Sequence, residues 1–154
     1  MAYEYQGFIG TKEVLSGLEA KYSSAQSVHL HGELYTVPFT PDLYDEIHES
    51  PEASVEGSVE GMDVLTATVE AICLDISLSG MLAYVEAEYF GGSGSQSCNV
   101  WHDGRNVLKE LQTDQAFNQA LRYLGVQRHD ELDEFEQVQL ARHRDTEEWL
   151  NLHS

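Results

Sequence analysis

Met81-Leu-Ala-Tyr-Val-Glu-Ala-Glu-Tyr-Phe90, then Gly91-Gly-Ser-Gly-Ser95, then Gln96-Ser-Cys-Asn-Val-Trp-His102 is the stretch on which the fold turns. The first run alternates. Met81, Ala83, Val85, Ala87 and Tyr89 form one row, read as core-facing, while Tyr84, Glu86, Glu88 and Phe90 form the other. Period-two alternation with aromatic content is the mark of a strand with one buried face. The glycine-serine run reads as a turn or flexible loop, and Gln96–His102 as the returning strand. Asp103-Gly104 suits a tight hairpin turn, after which Val107 and Leu108 extend the pairing. A three-stranded antiparallel meander is the expectation.

Outward from this meander the chain supplies helices. Toward the N-terminus, Thr11 caps a predicted helix to about Tyr22, with Val14, Leu15, Leu18 and Ala20 at helical spacing. Ser27–Val37 alternates in part and reads as one strand, or two short ones broken at Gly32. Thr40-Pro41-Asp42 is a helix start, with an N-cap, proline at the first helical position and an acid at the positive end of the dipole; that helix is expected to run to about Glu49. Ser50–Gly61, with Pro51, Gly57, Gly61 and the acids Glu52, Glu56 and Glu60, reads as an exposed loop. Its Ser54-Val-Glu-Gly and Ser58-Val-Glu-Gly copies are too few for a repeat architecture. Val64, Leu65, Thr68, Val69, Ile72 and Ile76 form the inner stripe of an amphipathic helix.

On the C-terminal side, Thr113 is expected to cap a helix carrying Phe117, Ala120, Leu121 and Leu124 and ending at Gly125. Leu132, Phe135, Val138 and Leu140 anchor a charged segment, and Asp145 and Glu148 have capping-box spacing for a last short helix with Trp149 and Leu150. The predicted class is α+β: one domain over residues 1–154, with an antiparallel sheet that includes the central meander and helices packed on one face. A chain of 154 residues with 42% hydrophobic and 10% aromatic side chains can build a sizeable core.

Charge is distributed unevenly. The net charge is −19, and no Lys or Arg stands between Lys21 and Arg105, a span of 83 residues that holds 14 acids. Like charges repel, so an unbroken anionic stretch points to a surface kept negative for docking a basic partner. The plain alternative is acidity that serves solubility or a salty environment. Nucleic acid and anionic membrane are repelled by such a field. Low salt should destabilise the molecule, and added salt should screen the repulsion.

Cys73 and Cys98 form no C-x-x-C pair, which argues against a zinc ribbon or redox motif, and Cys73 reads as a core residue. No cofactor is expected. The start has no basic and apolar leader pattern and no run approaches the length of a membrane span, so a cytoplasmic location is expected.

Several residues carry possible chemistry. Glu86 and Glu88 lie two apart on one strand, with Tyr84 beside them. They fit a partner's Arg or Lys, a cation, an acid-base pair, or simply the solvated face of a sheet. His29 and His31 have a spacing used by metal sites, with Glu33, His48, His102 or Asp103 as further ligands if the fold brings them close. Gly91-Gly-Ser-Gly-Ser lacks the lysine of a phosphate loop and precedes a strand. His102-Asp103 with Ser93, Ser95, Ser97 or Cys98 is a conceivable nucleophile set, but no G-x-S-x-G elbow is present. Arg142 and Arg144 read as internal salt-bridge partners, or as clamps for a small acidic ligand.

The run Ala83-Tyr-Val-Glu-Ala-Glu-Tyr-Phe-Gly-Gly-Ser-Gly-Ser-Gln with Val100-Trp101, together with Gln119-Ala-Leu-Arg-Tyr-Leu-Gly-Val and Arg142-His-Arg-Asp-Thr-Glu-Glu-Trp, resembles a group of small uncharacterised bacterial proteins. In overall type the chain is also similar to immunity proteins of bacterial toxin systems, which are small, acidic and often α+β. That likeness implies a binding protein, not an enzyme, which masks the basic surface of a toxin. The residues expected to touch the partner are Tyr84, Glu86, Glu88, Asp42, Asp45, Glu46 and Glu49. The rival expectation is a small metal-dependent or hydrolytic enzyme built on His29 and His31 with Glu86 and Glu88.

Overall fold

A computed structural model describes residues 2–49, 57–59, 61–90, 93–128 and 131–150. Six strands, β1 (Ala2–Thr11), β2 (Val28–His31), β3 (Leu34–Pro38), β4 (Leu82–Phe90), β5 (Ser93–His102) and β6 (Arg105–Thr113), make one sheet in the order β2-β3-β1-β4-β5-β6. Every pairing is antiparallel. The helices are α1 (Lys12–Lys21), α2 (Pro41–His48), α3 (Ala67–Ile76), α4 (Ala116–Tyr123) and α5 (Glu134–Gln137), with 3-10 turns at Ser77–Ser79, Leu140–Arg142 and Glu147–Trp149. The α+β class and the central meander β4-β5-β6 stand as the sequence indicates. Among the described residues no helix is long and apolar enough to cross a membrane.

The helices cover both faces of the sheet, where the sequence suggests one. On the first face Phe8, Leu82, Tyr84 and Trp101 meet Val14, Leu15 and Leu18 of α1, Leu43 and Ile47 of α2, and Val69, Cys73 and Ile76 of α3. On the second, Tyr5, Ile9, Ala83, Val85 and Val100 meet Phe117, Ala120 and Leu121 of α4, then Val138, Leu140 and Trp149. Each large side chain so buried contributes about 1.5–3 kcal/mol. The double burial explains why β1 escapes a reading by alternation. Tyr5 and Ile9 enter one core and Phe8 the other; Tyr3-Glu-Tyr-Gln6 alternates, but from Gly7 to Gly10 both faces are buried and the alternation stops.

Local chemistry sets the element ends. The Thr11, Thr40 and Thr66 hydroxyls accept from the Val14, Leu43 and Val69 amides and cap α1, α2 and α3. Asp103 and Gly104 take positive φ of 57° and 77° and turn β5 into β6, as the dipeptide suggests. Ser27–Val37 divides into two strands at Gly32. The expected acidic loop at Ser50–Gly61 lies mostly outside the described residues.

Three local expectations are corrected. Ser93, Gly94 and Ser95 are not loop but the start of β5, opposite Phe90, Tyr89 and Glu88. Thr113 ends β6 and accepts from the Gln115 amide, and α4 begins only at Ala116 without a side-chain cap. Among the described residues Arg142 clamps no acid: its guanidinium donates to the carbonyls of Leu30 and Val138 at 2.6 and 2.8 Å and lies over the Trp149 ring. Burial lowers its pKa.

The C-terminal segment completes the edge of β1. Strand β3 pairs with β1 only from Gly7 to Thr11. Beyond that, the Glu4 amide donates to the Arg144 carbonyl at 2.8 Å and the Gln6 amide to the Thr146 hydroxyl at 3.1 Å. Residues 144–146 thus lie beside β1 where a strand would otherwise be, and they carry Asp145 and Glu147 to the same end of the sheet as Glu88.

Candidate functional site

Tyr84 and Glu86 do not reach the surface. Tyr84 has no exposure and Glu86 has 6%. Strand β4 is central and α3 with its preceding loop lies over it, so the row taken for a solvated face is interior at Tyr84 and Glu86 and reaches the surface only at Glu88 and Phe90. The Glu86 carboxylate accepts from the Asp63 amide at 2.7 Å through one oxygen. Through the other it accepts from the Val64 and Leu65 amides at 2.8 and 2.9 Å and from the Tyr84 hydroxyl at 2.6 Å. Four donors on one buried carboxylate are its compensation for leaving water. Both residues therefore leave the set of direct partner contacts.

Glu88, two residues on, is exposed and belongs to a wider acidic face. It stands directly opposite Glu4 in the β1–β4 register, a like-charge placement that disfavours the pair. Glu4 has its pKa raised, first by partial burial and then by the charges of Glu88, Asp145 and Asp63. The neighbouring cleft, of about 470 Å³, is rimmed by Glu4, Asp45, Asp145 and Glu147 and has Phe39, Tyr44 and Val64 in its wall. A small adjoining hollow of about 80 Å³ is lined by Gln6, Asp63, Glu86 and Glu88. Carboxylates from β1, α2, the loop before α3, β4 and the C-terminal segment thus converge at one end of the sheet.

The remaining acids of α2 are divided in role. Asp42 is exposed at the helix start and lines a separate cleft with Ser23, Ser24 and Glu147. Glu46 faces the end of α1, where its oxygens accept from the Ser23 and Ser24 amides, each at 2.8 Å. The Ser24 amide leads the causes that lower its pKa. Glu49 is exposed past the helix end. Asp75 is paired with Lys21 at 3.4 Å, so the basic-free stretch does not act as one uniform field.

The structure does not assemble the residues of the enzyme reading. His29 and His31 lie on the edge strand β2, separated by β3 and β1 from Glu86 and Glu88 on β4. His29 bonds the Gly32 carbonyl through Nε2 at 2.9 Å and sits edge-on to Tyr35. His48 is held elsewhere, between the Tyr44 carbonyl and the Thr66 hydroxyl. No group of three or more His, Cys, Asp or Glu side chains that could hold a metal occurs among the described residues. Ser97 bonds the Gly61 carbonyl and receives the Gln112 amide. It stands five residues from His102 along β5, about 17 Å at strand rise. Cys98 is buried, and desolvation pushes its thiol up to about 12, far from a nucleophile at neutral pH.

No family model, curated protein or solved structure matches the chain. The residues that sequence reasoning missed are Glu4, Asp63, Asp145 and Glu147. Glu4 would have followed from a reading of β1 as the neighbour of β4. Asp145 and Glu147 depend on a contact between segments about 140 residues apart, as in the bond from Gln6 to Thr146, and no local signal carries that.

Proposed function

We propose that this protein is a non-enzymatic acidic binding protein that masks the basic surface of a partner protein through the face around Glu4, Asp45, Asp63, Glu88, Asp145 and Glu147. The partner class that fits is a toxin whose nucleic-acid-binding surface is basic, with this chain as its immunity protein. The carboxylates then stand in for the nucleic-acid backbone. They steer encounter and favour the correct orientation, and the aromatic wall of the cleft, Tyr44 and Phe39, offers a guanidinium a ring to lie against.

The observation that carries this reading is geometric: Glu88 stands opposite Glu4 in the sheet, Asp145 shares a cleft rim with Glu4, and Asp63 shares the adjoining hollow with Glu88. Holding like charges together is unfavourable in the free protein. An incoming Lys or Arg relieves it, so the repulsion becomes part of the driving force for docking.

Hexa-arginine, titrated into isotopically labelled protein, is the probe that tests it. Chemical-shift changes are expected to concentrate at Glu4, Asp45, Asp63, Glu88 and Asp145 and to weaken as salt is added. Changes spread evenly over all exposed acids, Glu13, Glu33 and Glu131 included, would sink the proposal.

A further inference from the structure

We infer that Glu86 is the positioning residue of the acidic face: from inside the sheet it clasps the loop before α3 and so places Asp63 beside Glu4 and Glu88. The inference rests on the docking reading for its purpose, but its physical content stands apart from that reading.

The loop presents three consecutive amides, Asp63, Val64 and Leu65, and all three donate to the Glu86 carboxylate. Thr66, next in line, already serves as cap for α3. An apolar residue at position 86 would pack against Tyr84 and Leu65 but would orphan these amides together with the Tyr84 hydroxyl. A buried ionised side chain is seldom the cheapest route to stability. Its gain here is that the direction of the loop is fixed, because two oxygens facing four donors admit one arrangement. The Asp63 side chain then has its place set by its own backbone, at the hollow it lines with Glu88, the residue directly opposite Glu4 in the sheet. A glutamine at 86 keeps the size but gives one acceptor oxygen and turns an NH2 group toward backbone donors.

The test is the Glu86→Gln variant, followed by amide hydrogen exchange and by NMR titration of the Glu4 carboxyl. Protection at Asp63, Val64 and Leu65 is expected to be lost while the β4–β5 amides stay protected. Glu86 pairs with Gln6 and so lies diagonally across from Glu4 in the sheet, and its own charge acts on Glu4 besides that of Asp63. The clasp is therefore read from the coupling: Asp63→Asn should lower the Glu4 midpoint in the wild-type background and leave it unmoved in the Glu86→Gln background. Unchanged protection of the loop amides in Glu86→Gln, or an Asp63→Asn shift of the Glu4 midpoint that persists in the Glu86→Gln background, would overturn the inference. Should Glu86→Gln fail to fold, the wild-type protein still decides, since fast exchange at those amides excludes the clasp. Failure of the docking reading shows differently: the loop is clasped, but hexa-arginine shifts no resonance of the acidic face.

Discussion

Glu4 shows how a single carboxyl records its surroundings. Its folded pKa is raised, so the native state holds a proton at a pH where the unfolded chain has lost it. Stability therefore falls as pH rises from the ordinary glutamate range through the folded pKa, and the whole penalty is present at neutral pH. Solvent screening keeps it small, at about a few tenths of a kcal/mol. Glu4→Gln is expected to raise the melting temperature at neutral pH and to flatten the pH dependence in that window. A lower melting temperature at neutral pH would mean that Glu4 is stabilised by its neighbours. Glu46 has the opposite sign. Its pKa is lowered by the amides it caps, so its contribution is present above the unfolded value and fades as pH falls through the folded one.

At the scale of elements, the β4–β5 hairpin holds the site in register. Gly94 lies so close to β4 that a Cβ there would overlap the Glu88 carbonyl at 2.0 Å and the Tyr89 backbone at 2.7 Å. Backbone cannot give way as a flexible side chain can. Gly94→Ala is expected to destabilise the protein by about 1–3 kcal/mol and to lower amide protection first along β4 and β5, a pattern that hydrogen exchange resolves. The sequence made this hairpin legible because alternation and turn residues are local signals. The Thr11 and Thr40 caps were legible for the same reason, but Thr66 was not: the expected helix stripe began at Val64, whereas Val64 and Leu65 belong to the loop and Thr66 caps a helix that starts at Ala67. Strand β1 was only half legible: Tyr3-Glu-Tyr-Gln6 alternates, but from Gly7 to Gly10 both faces are buried and the polar row stops. Glu86 was misplaced by the same logic: its alternation with Val85 and Ala87 marks a face, but whether that face meets water depends on α3, which arrives from elsewhere in the chain. Thr113 was misread because a residue that ends a strand and one that starts a helix offer the same hydroxyl.

At the scale of the whole molecule, the absence of cations between Lys21 and Arg105 proved a guide to the site but not its boundary. Asp45, Asp63 and Glu88 come from that stretch, while Glu4, Asp145 and Glu147 are brought to them by the sheet and by the C-terminal segment lying beside β1. The direct test removes the face without altering the net charge relative to a control. Glu4→Gln/Glu88→Gln/Asp145→Asn and Glu13→Gln/Glu33→Gln/Glu131→Gln each take the charge from −19 to −16. Binding of hexa-arginine should weaken about tenfold in the first, equivalent to about 1.4 kcal/mol, and hardly change in the second. Equal weakening in both variants would show that only the total charge matters, and that no acidic docking face exists.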